Sequence, residues 1–294
     1  MRVGPLDRSQ ISAATAVLAA GCAFDRAAEV ADEKLFGASP RGEPRALGAW
    51  DDRGALVGVA SVGGSRIRVL AVTPAARGRG VGSALLAACE ADAKAAGEAT
   101  LRTLDQPGNY LAPGIDERNT ETITWLERRG WVRGEERLNV LIDVRDNPRV
   151  TAERAAELVT AAAQRGYEVR RARADETALL STVTSEFGGA WPFELERALA
   201  HSPAGVHVAI KDGAYCAFAA HDGNNRGLGW FGPTGTSVAH RGQGLGEALL
   251  VACLVDVAAN HAQCEVAWIG PRPFYDKVAG VAADRRFVLL TRAL

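Results

Sequence analysis

Along this chain, short apolar runs alternate with longer segments of helical periodicity. Residues 55–62 and 66–72 are two β-rich runs joined at Gly63-Gly64, which predicts a hairpin. A helix is predicted from Ser83 to Ala96, ended by Gly97, then a strand over 100–104 and a second helix over 120–129, ended by Gly130. Residues 138–144 form the last apolar run of this half. The same succession then returns. Strands are predicted over 206–210, 214–220 and 229–234, with turns at Asp212-Gly213 and over 222–227. A helix follows over 247–260, then strands over 265–269 and 286–290. Antiparallel hairpins followed by a turn, helix and strand predict a mixed α/β (α+β) module around one sheet, present twice.

The repeat is sharpest at one segment. Arg77 to Cys89 reads RGRGVGSALLAAC and, 164 residues further on, Arg241 to Cys253 reads RGQGLGEALLVAC; nine of the thirteen positions are identical. An offset of one domain length is the mark of a tandem fold. The turn-forming cluster Asp146-Asn147-Pro148 places the boundary, giving expected domains of 1–147 and 148–294, with a helix over 152–164 opening the second or bridging the two.

Glycines at 78, 80 and 82, and at 242, 244 and 246, permit backbone conformations closed to other residues and leave their amides uncovered. At a helix start, those N–H groups make a nest for an anion such as a diphosphate. Arg77, Arg79 and Arg241 add charge at its rim. A P-loop would need a lysine that neither copy has, and a dinucleotide fingerprint would place its third glycine one residue later.

The spacing Arg-x-x-Gly-x-Gly, complete in Arg77 to Gly82 and in Arg241 to Gly246, resembles the signature of the GNAT acyltransferases, as does the lead-in Leu70-Ala-Val-Thr-Pro-Ala-Ala. The resemblance covers both halves and implies a tandem pair of GNAT-like domains. It implies acetyl-CoA as cosubstrate, its diphosphate held by Arg77, Gly78, Arg79, Gly80, Val81, Gly82 and Ser83 and, in the second copy, by Arg241, Gly242, Gln243, Gly244, Leu245, Gly246 and Glu247. Pantetheine would lie along Leu70, Ala71 and Val72, or along Thr234, Gly235 and Thr236. The second copy departs from the pattern: Val238 stands for Pro74, and Pro233, which cannot donate to a ladder, predicts a bulge.

The resemblance further implies a tyrosine early in the last helix as general acid. Phe274-Tyr275-Asp-Lys277 supplies it in the second half, whereas Asn119 to Trp131 carries Leu126 at that position. The expected function is N-acetyl transfer to a primary amine of a small molecule, with chemistry in the second half; both halves being active, or an acyl-CoA sensor without turnover, are the alternatives. Glu265 and Asp222 are candidate bases, His240 a weaker one, and Tyr110 is a first-half hydroxyl without an assigned place. Acceptor walls are expected from Phe187, Trp191 and Phe193, and from Asp25, Glu29, Asp32 and Glu33.

Bulk properties narrow the partners. With 34 basic and 35 acidic residues and a net charge of −1, there is no basic excess for nucleic acid. Five cysteines without a CxxC pair argue against a disulfide framework or a metal site. No secretory or membrane-spanning run is visible, so the chain is expected in the cytoplasm, as a monomer in which two fused halves replace a homodimer.

Overall fold

A computed structural model describes all 294 residues. It contains two compact units, but they are not 1–147 and 148–294. One comprises Met1–Arg137 together with Arg286–Leu294, the other Leu138–Arg285. The chain leaves the first unit in mid-strand and returns to it for its last nine residues.

The first unit contains β1 (Arg2–Pro5), α1 (Ile11–Gly21), α2 (Ala31–Phe36), β2 (Arg45–Trp50), β3 (Leu56–Gly63), β4 (Arg66–Val72), α3 (Val81–Ala95), β5 (Thr100–Thr103), β6 (Ile115–Asp116), α4 (Thr120–Glu127) and the start of β7 (Val132–Asp143). Strands β1 to β4 form an antiparallel meander, and β5 adds to β4 in parallel. On its other side β5 accepts the C-terminal residues Thr291–Ala293. Helix α3 buries Val81, Leu85, Leu86, Cys89 and Ala93 against this sheet, a stripe at helical spacing. The strands β1 and β2 were not expected from the apolar pattern, being short or interrupted by glycine.

The second unit contains the end of β7, α5 (Ala152–Ala163), β8 (Glu168–Arg171), α6 (Thr177–Glu186), α7 (Trp191–Leu199), β9 (Val206–Lys211), β10 (Ala214–His221), β11 (Trp230–Thr236), α8 (Leu245–Ala258), β12 (Gln263–Val266), α9 (Arg272–Ala279) and the start of β13 (Ala283–Ala293). Again four antiparallel strands, β8 to β11, are followed by a parallel β12, whose free edge pairs with Val140 to Asp143 of β7. Helix α8 is apolar nearly all round, with nine residues buried from Leu245 to Val257. Helix α5 explains this: its Ala155, Leu158, Val159 and Ala162 pack on the same core and cover the face that α3 leaves outside. Helix α5 starts at Thr151, whose hydroxyl accepts from the Arg154 amide at 3.1 Å.

The far end of α8 is pinned by charge. Asp256, in its last turn, accepts from His207 at 2.7 Å and from Arg171 at 2.5 Å, and faces His221 at 3.4 Å; His221 also meets Asp222 at 3.0 Å. Burial alone would lower the His221 pKa, but the hydrogen bonds to Asp222 and Asp256 outweigh it and raise it from 6.5 to about 9. Burial would likewise raise Asp256, yet its hydrogen bonds with His207, His221 and Arg171 hold it below the usual carboxylate range. A raised histidine contributes stability that is complete below about pH 6.5 and lost as pH rises through about 9; a depressed aspartate contributes stability that is lost as pH falls below about 4. The second unit is therefore expected to be most stable between about pH 4 and 6.5 and to lose on the order of 2 kcal/mol by pH 9. Urea titrations at pH 5.5, 7.5 and 9 measure this, and His221→Gln should flatten the alkaline limb; an unchanged limb refutes the assignment.

Candidate active site

The two glycine turns have the same geometry. After β4 a short 3-10 turn, Pro74–Ala76, leads into Arg77, and after β11 the turn Val238–His240 leads into Arg241. Gly78 and Gly80 have φ of 74° and 83°, and Gly242 and Gly244 have 76° and 73°. These are left-handed values, which glycine adopts without strain. Gly80 and Gly244 cap the helices α3 and α8. The first intrahelical bonds run from Ala84 to the Gly80 carbonyl and from Ala248 to that of Gly244. The amides of Val81, Gly82 and Ser83, and of Leu245, Gly246 and Glu247, thus have no acceptor within their helices. A Cβ at Gly78, Gly80 or Gly242 would meet nothing within 4 Å. Each nest opens outward, as an anion site must.

Ahead of each nest the strands part. β4 pairs with β5 only at Arg66 and Ile67, and β11 with β12 only at Trp230 and Phe231. Beyond these points Leu70 to Val72 and Thr234 to Thr236 keep their antiparallel neighbour on one side and have no ladder on the other. Both strands carry one extra residue at the point of parting. The ladder between β3 and β4 shifts register over Arg68, between Ile67 and Val69, and the ladder between β10 and β11 slips over Gly232 and Pro233, where the sequence predicts a bulge. The fifth strand of each unit turns away at a residue with positive φ, Leu104 at 61° and Trp268 at 48°, again 164 positions apart. Neither is a residue type that announces a left-handed turn, so the pattern of apolar positions could not reveal it. A free strand edge beside an anion nest suits a ligand with a diphosphate and an amide-bearing arm.

The last helix of each unit packs on the nest helix in the same way. Trp125 of α4 lies 3.6 Å from the Cβ position of Gly82, and Phe274 of α9 lies 3.6 Å from that of Gly246. The next residues, Leu126 and Tyr275, therefore occupy equivalent places, and both are buried. Burial in apolar surroundings pushes the Tyr275 phenol up to about 12, so it holds its proton at neutral pH.

Other expected residues are engaged elsewhere. Glu265 accepts from Asn139 at 2.6 Å and from Arg285 at 2.7 Å. Asp222 is bonded to His221 and to the Gly227 amide and is held below the usual range, burial being outweighed by these contacts. Both carboxylates are thus engaged by neighbouring donors. His240 sits 3.0 Å from the Tyr167 hydroxyl, against the edge of its ring. Tyr110 is buried in the loop between β5 and β6. Three of the four first-half acids are neutralised locally: Asp32 by Arg8, Glu29 by Arg26 and Glu33 by Lys34, with Asp25 not part of these pairs. Phe187 packs against β11. Its ring is 2.7 Å from the Cβ position of Gly235, and it contacts Trp191 and Phe218 at centroid distances of 5.6 and 5.5 Å. Only glycine at 235 leaves room for it.

The nests differ at their third helical residue. Ser83 accepts from Arg129 at 3.1 Å, whereas Glu247 is ion-paired to Arg154 of α5 at 2.7 Å. Arg77 and Arg241 each donate to a carbonyl, of Gly21 and of Thr236, and so brace the turn as well as charging it. Arg165, 3.3 Å from the Cβ position of Gly244, adds a guanidinium to the second nest.

Comparison with known proteins supports this geometry. Residues 44–133 match the family model described as an acetyltransferase (GNAT) domain. No curated protein matches the chain. Among solved structures, a tandem GNAT protein from the clavulanic acid biosynthesis pathway shares 19% identity at a TM-score of 0.69, over 99% of this chain and 98% of that one. A GCN5-related N-acetyltransferase from Sphaerobacter thermophilus shares 17% at 0.68, over 99% and 95%. The GCN5-related glucosamine N-acetyltransferase region of a fungal multi-domain beta-N-acetylglucosaminidase shares 16% at 0.77; it is matched by 99% of this chain, which spans 38% of that chain.

Proposed function

We propose, for a chain that has a GNAT acetyltransferase domain over residues 44–133 and the GNAT fold throughout, that it transfers an acetyl group from acetyl-CoA to a primary amine of a small molecule, with the chemistry in the second unit. The observation that carries this reading is the conjunction, in that unit, of an open nest, a strand edge free at Thr234 to Thr236, and Tyr275 on the helix packed against the nest.

The coenzyme diphosphate would rest on the amides of 245–247, with pantetheine along Thr234 to Thr236. The amine attacks the thioester carbonyl, the C–N bond forms, and the C–S bond breaks. Tyr275 donates its proton to the departing sulfur. Water takes the proton from the amine, since Glu265 and Asp222 are engaged. Phe187 and Trp191 wall the acceptor side. The first unit has a nest but Leu126 in place of the acid, so it binds coenzyme without turning it over.

Thiol release from acetyl-CoA, followed over a panel of small primary amines, tests the reading. Calorimetry on Gly80→Glu and Gly244→Glu counts the coenzyme sites, because a carboxylate in the nest should repel the diphosphate. Turnover should survive Gly80→Glu and fail in Gly244→Glu. The reverse moves the chemistry to the first unit, and undiminished coenzyme binding in both removes the nests from the reading.

A further inference from the structure

The two clefts open at different points. In the first unit the turning residue stays tied to its parallel neighbour: the Leu104 amide donates to the Ile67 carbonyl at 2.7 Å. In the second unit the equivalent carbonyl, that of Phe231, receives the Ala267 amide instead, one residue earlier and at 3.4 Å. The Trp268 amide is thereby released from β11. It donates to Asn139 Oδ1 of β7 at 2.7 Å, and the next amide, of Ile269, donates to the Leu138 carbonyl at 3.0 Å. The turn that follows β12 is drawn to the strand on its far side, and β11 has no ladder with β12 beyond Phe231.

This hold depends on which way round the Asn139 amide stands. Asn139 is fully buried. Its Nδ2 donates to Glu265 Oε1 at 2.6 Å, and Arg285 donates to Glu265 Oε2 at 2.7 Å. A carboxylate accepts and an amide nitrogen donates, so Glu265 turns Nδ2 towards itself and leaves Oδ1 for Trp268. Reversal would set two acceptors together and leave the Trp268 amide facing a donor. Trp268 also needs a hold, since its φ of 48° is one that a tryptophan adopts only under constraint. The first unit has no such relay: Leu101, buried, stands 164 positions before Glu265.

We infer that Asn139 is a positioning residue for acetyl transfer in the second unit, oriented by Glu265 and acting through the Trp268 backbone. The inference rests on the function proposed for that unit. A coenzyme arm that runs from the nest past Thr236 to Thr234 brings its thioester to the point where β11 and β12 part. Asn139 keeps that point open. It also anchors residues 268–271, which lead into α9, and so sets the place of Tyr275. The contacts that hold the coenzyme, at the nest and along Thr234 to Thr236, are separate from it.

Asn139→Ala removes the acceptor of the Trp268 amide. At saturating amine and acetyl-CoA its kcat is expected to fall about ten- to a hundredfold, as a misplacement of about 1 Å at a reacting centre can do. Coenzyme A affinity, by calorimetry, should stay within about twofold. Rescue separates positioning from packing. In the double variant Asn139→Asp, Glu265→Gln, the new carboxylate accepts from Trp268 and from the new side-chain amide, whose carbonyl accepts from Arg285. Every bond is kept with one reversed, and kcat should return to within about threefold of the parent. Asn139→Asp alone sets two carboxylates together and should stay slow. If Asn139→Ala loses coenzyme affinity as well, the contrast between Asn139→Asp and the double variant decides. An unchanged kcat in Asn139→Ala, or a double variant no faster than Asn139→Asp, overturns the inference and leaves the proposed function standing. No turnover by the unaltered chain over the amine panel, or turnover that survives Gly244→Glu, overturns both.

Discussion

Tyr275→Phe is expected to lower kcat by about a hundredfold or more while leaving KM for acetyl-CoA within about twofold. A general acid contributes roughly 10²–10⁴ to rate, and the substitution removes the hydroxyl alone. The ring stays in its place beside Phe274, at a centroid distance of 5.1 Å, so the packing of α9 on α8 is preserved. The coenzyme is held by backbone amides and a strand edge, to which the hydroxyl does not belong. A phenol held at about 12 is a weak acid, which invites the objection that it cannot protonate a thiolate. Burial answers it. In this protein desolvation raises the Cys89 thiol to about 12 as well, and partial burial of a departing thiolate would raise its proton affinity in the same direction. Stopped assays at saturating amine measure kcat. A value unchanged from the parent sinks the role of Tyr275.

Much of this site was legible in the sequence, for a physical reason. A nest at a helix start is built by consecutive residues: the glycines supply the left-handed turn, and the helix that follows supplies the dipole. All of that is local, and its repetition at 164 residues made it plain. The parallel alignment of Leu126 with Tyr275 was also local, since it follows from the positions of Trp125 and Phe274. What stayed hidden depends on contacts between distant residues. Glu265 reads as a spare carboxylate until Asn139 and Arg285 are seen to hold it. Asp222 reads as a loop acid until His221 closes on it. The guanidinium of Arg129 gains its meaning from Ser83, 46 residues away. The left-handed turns at Leu104 and Trp268 are imposed by the parting of strands, against the preference of either residue.

Domain boundaries failed for a related reason. The pattern of residues 286–290 says that they form a strand with buried positions, but alternation along a strand does not say which sheet it joins. The structure gives β13 from Arg286 onward to the first unit, where Val288 meets Ile115 and Thr291 meets Arg102. Val288 and Leu290 are buried in the core of that unit. Two such side chains contribute about 3–6 kcal/mol at 1.5–3 kcal/mol each, a large part of the whole stability of a domain, about 5–15 kcal/mol. Deleting residues 286–294 is therefore expected to unfold the first unit, although its core begins at the opposite end of the chain. The first nest, more than 200 residues away in sequence, should lose its coenzyme affinity, and amides of β3 and β4 should lose hydrogen-exchange protection. The second unit keeps β7 to β12 and should retain protection in α8. A fragment of residues 1–147 should fail to fold for the same reason, and a peptide of residues 283–294 added to it should restore protection in β5. If the deletion variant keeps protection throughout β3 to β5, the closing strand is dispensable and the first unit ends at residue 137.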